Sequence, residues 1–431
     1  GVRLVGSEMC IRDRLEIAQL FDGQSLHLLL GRSDEQLSVP ERQSLFQYYL
    51  STVDPEYRQA LDTLKTNRQQ KNEVENSTKE IMVMRELDKR RPTYILNRGM
   101  YDAPTDRVDP GTPSVLNPFP TGQPRNRLGL ARWLTDPQNP LTARVAVNQF
   151  WQLFFGAGLV RTTEDFGSQG ELPSHPKLLD WLAKDFINSG WDVKHLLKQI
   201  VLSSTYRQSS RIASTQIAAD PENRMLARGP SYRLPAEMIR DNYLAASGLL
   251  VDRIGGPPVR PYEVAVSFKP VDPEQGDALY RRSMYTYWKR TGPAPVMMTL
   301  DASKRDVCVV KREKTSTPLQ ALVLLNDPQL VEAARILGQK MVGQAGDDAS
   351  GLVDEMFLLL TSRHPEPRER EILLQTYQEQ LAYFQEFPER ATSFLTIGEA
   401  PFREDLDTAQ LAAAGVLAEM LLNYDACIMK R

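Results

Sequence analysis

The sequence predicts a mainly α, multi-helix globular fold with a small β-containing insert around residues 255–314. Apolar residues at helical spacing recur along most of the chain. They follow Ser, Asp, Asn or Pro and often precede Gly, as in capped amphipathic helices. The stretches GGPPVRPYEV and RRSMYTYWKR interrupt that pattern with helix breakers and with alternating aromatic and polar residues, which indicate turns and a strand.

The first residues are interpreted as foreign to the protein. One codon choice for LVGSEMCIRDR (Leu4–Arg14) matches a tagging oligonucleotide of transposon-based sequencing libraries, so residues 1–14 are expected to be a sequencing-adapter artefact. On this interpretation the natural start is missing, and Cys10 does not count in the cysteine inventory.

Residues 15–102 are predicted to be an N-terminal, mostly helical junction segment. SVPERQSLFQYYLSTV begins with Ser38 as cap and Pro40 in the first turn, and a charged helix follows from Asp54. IMVMREL and PTYILNRGMYDAP indicate two short strands. Residues 103–126 are rich in proline and predict a linker, after which residues 127–431 form a mainly helical C-terminal domain.

The C-terminal domain opens with four predicted helices. Asn126, Ser174 and Asp192 are predicted caps, and Asn139 and Pro140 mark the start of the second helix. A Pro-started helix follows in LPAEMIRDNYLAASGLL. Beyond the predicted strands RRSMYTYWKR and DVCVVKRE, a continuous helix is expected over 317–342 with Thr317 as cap. Three more helices are expected near 350–361, 366–386 and 406–424.

Composition limits the classes of protein. The formal net charge of −3 gives no general attraction to nucleic acid or anionic membranes, and no apolar run approaches the roughly 18 residues of a spanning helix. Cys308 and Cys427 form no CxxC pattern, which argues against a disulfide framework or a zinc site and favours two buried free thiols. GxSxG, P-loop and HExxH motifs are absent, so no nucleophile–base pair and no metal site is predicted.

Four long stretches resemble one protein family. They are residues 127–210, with RTTEDFGSQGELPSHP; 220–241, DPENRMLARGPSYRLPAEMIRD; 280–308, with YRRSMYTYWKRTGPAP; and 314–335, KTSTPLQALVLLNDPQLVEAAR. They resemble the planctomycete-type C-terminal domain of unknown function that occurs in large exported proteins. In that family the domain follows a second domain of unknown function and, often, a cytochrome c-like domain.

The resemblance implies an exported protein, in the cell envelope or outside the cell, whose upstream domains are the first partners of this one. It also implies that any haem belongs to an upstream domain, because this chain lacks CxxCH and is expected to hold no cofactor of its own. The family has no established activity.

The loop RTTEDFGSQGELPSHP carries the candidate acid–base residues Glu164, Asp165, Glu171 and His175. Carboxylates on a glycine-rich loop could bind a hard cation or act as acid and base. A structured helix–helix connection, in which these side chains satisfy backbone amides, explains the same pattern.

Arg144, Asn148 and Gln152 recur every four residues and form a polar stripe on an otherwise apolar helix. Arg144 could pair with Asp165 or Glu164 inside the protein, or it could present its guanidinium to a carboxylated ligand, with Asn148 beside it.

The stretch 280–314 combines basic and aromatic residues. The candidate ligand-binding residues are Arg282, Tyr285, Tyr287, Trp288, Lys289 and Arg290. Such a surface could bind sugars with sulfate or uronate groups, or a nucleic-acid strand. A sheet with an aromatic core face and a solvated basic face is the structural alternative.

Three functions remain open from the sequence: a non-catalytic binding or scaffold module, which docks on upstream domains and on a polysaccharide; an enzyme acting on anionic polysaccharide; and a nucleic-acid-binding module. Convergence of Arg144, Asp165, His175, Arg282 and Lys289 on one cleft would favour the enzyme. Scattering or internal pairing would favour the scaffold.

Overall fold

The computed structural model describes residues 26–78, 81–262, 272–289, 294–346 and 348–430. The chain divides into two compact units, Gly1–Tyr94 and Ile95–Arg431. The predicted adapter segment 1–14 lies outside the described residues, and its interpretation stays a prediction. The predicted domain borders at 102/103 and 126/127 also stay predictions.

Within the described residues of the first unit, the chain forms the α-helices α1 (Leu26–Leu30), α2 (Val39–Thr52) and α3 (Pro55–Ser77) and a 3₁₀ helix, Asp34–Gln36. The predicted starts of α2 and α3 are confirmed, because the Ser38 amide donates to Glu41 at 2.8 Å and the Tyr57 amide donates to Asp54 at 2.7 Å. Throughout α2 and α3, all of which the structure describes, no side chain is fully buried.

The predicted strand IMVMREL does not form: residues 81–87 are irregular and exposed. The apolar residues of this stretch have β propensity, but a strand also needs a partner to pair with. The second predicted strand becomes a hairpin of β1 (Thr93–Leu96) and β2 (Pro104–Val108), closed by the Asn97 amide donating to the Ala103 carbonyl at 2.9 Å.

The regular structure of the second unit is mainly helical. The helix bounds are α4 Arg127–Leu134, α5 Thr142–Phe155, α6 Pro176–Asn188, α7 Val193–Leu202, α8 Ser214–Ala219, α9 Ala236–Ser247, α10 Pro295–Thr299, α11 Pro318–Asn326, α12 Pro328–Ala345, α13 Ala349–Thr361, α14 Pro367–Glu386, α15 Pro388–Leu395, α16 Thr408–Leu422 and α17 Asp425–Ile428. A second two-stranded sheet pairs β3 (Tyr232–Arg233) with β4 (Met429–Lys430) in antiparallel register. The predicted mainly α class with small β content is confirmed.

Local sequence accounts for most helix ends. Asn126 and Asp192 accept hydrogen bonds from the amides of Gly129 and His195, both at 3.1 Å, as predicted. The predicted cap Ser174 is wrong by one position, since His175 occupies the cap of α6. The helix expected over 317–342 is two helices, because Asp327 accepts from the amide of Leu330 at 3.1 Å and Pro328 starts α12.

Two apolar clusters form the core of the second unit. The smaller one joins α5, α6 and α7 through the buried residues Val147, Trp151, Leu182, Phe186 and Leu196, among others. The larger one surrounds α12 and α16, which make the most extensive helix–helix contact of the structure. Their backbones approach closely where Gly338 meets Gly415: a Cβ added to Gly338 would lie 2.5 Å from the Gly415 nitrogen.

The region 255–314 contains less regular β structure than its sequence predicts. Residues 281–289 form no regular strand; the isolated bridges Val251–Arg281 and Val259–Thr286 lie in this stretch, while Arg290 is outside the described residues. DVCVVKRE is irregular. A 3₁₀ turn at Ser283–Tyr285 breaks the extended run, because Asp241 accepts from both the amide and the hydroxyl of Ser283, at 2.8 and 2.6 Å.

Buried arginines hold these irregular segments in place. Arg240, 1% exposed, donates to the carbonyls of Leu279 and Arg281 at 2.6 and 2.9 Å and to Gln329 Oε1 at 2.7 Å. Arg281, equally buried, donates to the carbonyls of Arg253, Gly255 and Pro257 at 2.8, 2.5 and 3.1 Å. A guanidinium offers five donors in a fixed fork, so one side chain satisfies several carbonyls that lack partners in regular structure.

Two further buried arginines act in the same way. Arg233 donates to the carbonyls of Leu300 and Thr315 at 3.3 and 2.8 Å and pairs with Asp301. Arg335 donates to the carbonyls of Ile397 and Ala400 and lies 3.8 Å from Glu332.

Cys308 and Cys427 are free, as expected, but Cys308 is exposed and Cys427 is only half-buried, so the predicted burial is wrong for Cys308. Among the described residues, no helix combines the length and the apolarity needed to cross a membrane.

The network of Arg240 predicts a large loss of stability on substitution. Arg240→Met keeps the side-chain length but leaves the buried carbonyl of Arg281 without a donor and removes one of the two donors to the Leu279 carbonyl, which keeps Gln329 at 2.9 Å. We therefore expect a loss of about 3–5 kcal/mol in the free energy of unfolding, measured by urea denaturation. Arg282→Met removes an exposed arginine of the same region, and we expect little change. Equal effects of the two substitutions would contradict the structural role of Arg240.

Burial of Glu419, on α16, predicts a pH dependence of stability. Burial raises the pKa of Glu419 from 4.5 to about 7. The folded state therefore holds this proton more tightly, and the stability that it contributes is complete below about pH 4.5 and is lost as the pH rises to about 7. We expect Glu419→Gln to melt near the wild-type temperature at pH 5 and above it at pH 8, by scanning calorimetry.

The matched control is Glu404→Gln, which removes an exposed carboxylate. This variant should follow the wild-type pH dependence. A Glu419→Gln curve parallel to the wild type from pH 5 to 8 would show that Glu419 is not protonated in the folded state.

Candidate functional site

The polar stripe of α5 builds the connection that follows the helix. Asn148, fully buried, accepts from the amide of Val160 at 2.8 Å and donates to its carbonyl at 2.9 Å. Gln152 accepts from the Thr163 hydroxyl at 2.8 Å. Both amide side chains therefore hydrogen-bond the segment that follows the helix and packs back against it. A ligand at Asn148 would have to compete with its two bonds to Val160.

Arg144 does not pair with the loop that follows α5. Its Nε donates to Asp180 Oδ1 of α6 at 2.7 Å, and the guanidinium also reaches the Pro140 carbonyl. The predicted pairing with Asp165 or Glu164 is wrong, because the rotation of α5 that buries Asn148 places Arg144 beside α6. This ion pair is half-exposed and joins two helices.

The loop of residues 161–175 is organised by its own side chains. Asp165 accepts from the Gly167 amide at 2.7 Å, in a short Asx turn. Thr162 donates to the Asp165 carbonyl at 2.8 Å and accepts from the Glu171 amide at 2.9 Å. Position 170 has no room for a side chain, because a Cβ on Gly170 would lie 2.1 Å from the Asp165 carbonyl oxygen. These bonds match the structured-connection interpretation of the loop.

The remaining candidates of this loop point to different partners. Glu171 pairs with Arg224 at 3.2 Å, while Glu164 is exposed. His175 lies at the start of α6, with Nδ1 3.1 Å from the Ser174 hydroxyl. The four predicted acid–base residues thus share a loop, and the bonds of Asp165, Glu171 and His175 do not join them to one another.

A narrow cleft beside this loop was not predicted from the sequence. The stacked rings of Trp151 and Phe155, with centroids 4.1 Å apart, line it together with Arg161 and Arg224. Glu222 bridges the two arginines, at 3.5 Å from Arg161 and 3.6 Å from Arg224. The cleft has a volume of about 40 Å³, which is room for only a few water molecules.

The only sequence signal for this cleft was the charged stretch DPENR. Asn223 and Leu226 have φ of 52°, in the left-handed region that side chains rarely adopt. This turn brings Glu222 and Arg224 beside the loop of residues 161–175. Local sequence periodicity does not predict a contact between segments so far apart in the chain.

Two of the predicted ligand-binding residues serve the 252–257 turn. Arg282 donates to Asp252 Oδ1 at 3.1 and 2.8 Å, and this carboxylate raises the pKa of the guanidinium. The Tyr285 hydroxyl accepts from the Gly255 amide at 2.7 Å, and the buried Arg281 guanidinium lies 3.9 Å from the centre of the Tyr285 ring.

The other predicted residues lie on a surface that combines two parts of the chain. The Arg305 guanidinium lies 4.7 Å from the centre of the Trp288 ring and donates to the Thr286 carbonyl at 3.3 Å. Tyr287 is 42% exposed. We call residues Tyr287, Trp288, Lys289, Lys304 and Arg305 the basic–aromatic surface. Arg290 lies outside the described residues.

The predicted residues do not converge on one catalytic arrangement. Arg144 pairs with α6, Asp165 bonds within its loop, and Arg282 pairs with Asp252. In the part of the chain that the structure describes, no group of three or more His, Cys, Asp or Glu side chains could hold a metal ion.

The fold is that of a mainly α domain in which Arg305 packs on the half-buried Trp288, and their neighbours in sequence, Lys304 and Tyr287, are exposed. The family model described as "PSD1: Protein of unknown function (DUF1553)" matches residues 126–377, more than half of the chain. The chain belongs to this family, which confirms the expected domain of unknown function. No curated protein and no solved structure matches the chain significantly.

The two roles of the α5 stripe can be separated by substitution. Asn148→Ala leaves the buried amide and carbonyl of Val160 unpaired, so we expect a loss of about 2–4 kcal/mol in the free energy of unfolding. Arg144→Ala removes a half-exposed ion pair and should cost about 1 kcal/mol or less. Urea denaturation of both variants checks this order, and the reverse order would contradict the assigned bonds.

Proposed function

We propose that this chain is a non-catalytic binding module whose basic–aromatic surface binds an acidic polysaccharide. The observation that carries the proposal is the contact of Arg305 with Trp288 and with the Thr286 carbonyl, which puts two basic stretches of the sequence on one surface. Arg305 also has a left-handed backbone, φ 58°, a strained conformation that concentrates at ligand sites.

The chemistry of this surface suits an acidic sugar polymer. Aromatic faces pack against the apolar faces of pyranose rings, and guanidinium and ammonium groups bind uronate or sulfate. The net charge of −3 makes the whole chain a poor polyanion attractor, so specific contacts with the surface have to supply the affinity. The exported location that the family resemblance implies favours a sugar polymer over nucleic acid.

Scattered acid–base candidates support the non-catalytic part of the proposal. Hydrolysis of a glycosidic bond needs two carboxyl groups that face one scissile bond. Glu171 is paired with Arg224 and Asp165 is bonded to the Gly167 amide, so each has a structural partner of its own.

The family resemblance also suggests a cellular location and neighbouring domains for this module. We propose that the module is exported and acts beside upstream domains of the same protein, one of which carries the haem. In that setting, the module would hold those domains against an acidic cell-envelope or extracellular polysaccharide.

Binding to defined glycans tests this function. We expect the full chain to bind sulfated or uronate-rich glycans saturably, neutral glycans weakly, and to release no shorter chains. Trp288→Ala and Arg305→Gln should each weaken binding about tenfold or more, because each removes a direct contact. Isothermal titration and size analysis of the glycan are the measurements.

The control is Lys198→Gln, which removes one exposed positive charge from α7 and should leave the affinity unchanged. If Lys198→Gln and Arg305→Gln weakened binding equally, the affinity would depend only on the net charge of the protein, which would contradict the proposed surface. Shortened glycan would contradict the non-catalytic role. Tighter binding of single-stranded DNA than of any glycan would favour the nucleic-acid alternative.

A further inference from the structure

An exposed apolar run lies between α10 and α11. Residues 302–317 form neither helix nor strand, and Val307, Val309 and Val310 are 69, 48 and 41% exposed, with the exposed Cys308 among them. We call Val307, Cys308, Val309 and Val310 the valine tip. Four consecutive apolar residues in water cost free energy, and such a run on a folded surface is typical of a place where the protein meets a partner.

Contacts on both sides of the valine tip hold it in this exposed position. On one side, the Arg305 guanidinium lies 4.7 Å from the centre of the Trp288 ring. On the other side, Arg312 donates to Glu237 at 2.8 Å. The two ends of the segment are therefore attached to the protein, and the residues between them face solvent.

Basic residues flank the valine tip. The segment 304–314 carries five basic residues against two acidic ones: Lys304, Arg305, Lys311, Arg312 and Lys314 against Asp306 and Glu313. Among the described residues, Lys304 and Lys311 form no ion pair. The whole chain has a net charge of −3, but a surface charge acts mainly within a Debye length of about 8 Å at physiological ionic strength. Anything that contacts the tip therefore meets a local excess of positive charge.

An anionic lipid bilayer has the chemistry that complements this segment. Its phosphates lie outside its acyl chains, so lysine side chains can reach the phosphates while short apolar side chains enter the boundary behind them. A specific protein–protein interface covers about 800 Å² on each partner, much more than four small side chains offer. The combination of a small apolar area with local positive charge favours the bilayer over a protein partner.

The backbone of the segment limits the depth of such a contact. Among the described residues, the amides of residues 306–314 donate to no backbone carbonyl. Unpaired backbone groups are costly in the hydrocarbon layer, whereas hydrated headgroups can satisfy them. The tip therefore fits the headgroup boundary and not the bilayer core.

We propose that the valine tip and its flanking basic residues dock on an anionic lipid bilayer, with the valines in the headgroup boundary and Lys311 on a lipid phosphate. This contact goes beyond the proposed function, because no residue of the valine tip belongs to the basic–aromatic surface. It makes the module a peripheral membrane protein as well as a glycan-binding one.

Co-sedimentation of the full chain with vesicles tests the docking. We expect binding to vesicles of phosphatidylcholine and phosphatidylglycerol in equal amounts, weaker binding at high salt, and little binding to pure phosphatidylcholine. The double variant Val307→Gln and Val309→Gln should weaken binding about tenfold or more, because two apolar side chains lose their burial. Lys311→Gln should weaken it about fivefold, since one phosphate contact is lost.

Matched controls separate this surface from general stickiness and net charge. Val115→Gln removes an exposed valine without basic neighbours, and Lys198→Gln removes an exposed lysine of α7. Both variants should bind vesicles like the wild type. If they weakened binding as much as the substitutions at the tip and at Lys311, the proposal would be overturned.

Cys308 reports directly on the position of the tip. An environment-sensitive fluorophore is attached to it in a Cys10→Ser chain; Cys427 is half-buried, and burial raises its pKa to about 12, so it reacts slowly. Anionic vesicles should shift the emission to the blue, and phosphatidylcholine vesicles should not. A blue shift that appears without vesicles and grows with protein concentration would mean that a second copy of the chain covers the tip.

Several results would overturn the proposal: no binding to anionic vesicles, equal binding to both kinds of vesicle, or wild-type binding by the double valine variant. Thermal melting of each variant checks that it is folded, which is expected because the substituted side chains are exposed. Absence of glycan binding with intact vesicle binding would contradict only the proposed function, and the reverse result would contradict only this docking.

Discussion

Buried arginines are the constraint on which the second unit depends. Regular helices satisfy their own backbone, but the chain between α9 and α11 and the turn after α15 leave many carbonyls inside the protein. Arg240, Arg281 and Arg335, each 1% exposed, donate to those carbonyls from fixed positions. Because burying a guanidinium is costly unless its donors are used, each arginine and its carbonyls stabilise one another.

The same residue type performs a different task on the outside. Arg281 is buried and ties the 253–257 turn, whereas its neighbour Arg282 reaches the exposed Asp252, and Arg305 lies on Trp288. Some basic residues of 280–314 therefore stabilise the fold from inside, and others lie at the surface. A ligand can contact only the surface residues of 280–314, and the candidate binding residues are therefore those of the basic–aromatic surface.

In the connection after α5, neutral side chains hydrogen-bond the backbone as the buried arginines do elsewhere. Asn148 and Thr162 satisfy backbone groups of a loop that has no strand or helix of its own. Asp165 bonds to the Gly167 amide and Glu171 pairs with Arg224, so two of the three carboxylates of this loop have structural partners. Segment 305–314 is held by cation–aromatic contacts, Arg305 on Trp288 and Lys314 on Tyr232.

The sequence alone determined the helical class and most helix starts, because caps and apolar periodicity act within a few residues. It did not determine which arginines are buried, which residue pairs with Arg144, or that residues 281–289 and 306–313 lack regular strands. Alternation of side chains describes any extended chain, whereas a strand also requires a pairing partner. Arg144 meeting Asp180, and Lys314 meeting Tyr232, depend on how distant elements pack. Only the tertiary structure decides this, since burial and charge pairing are set by neighbours that lie far away in the chain.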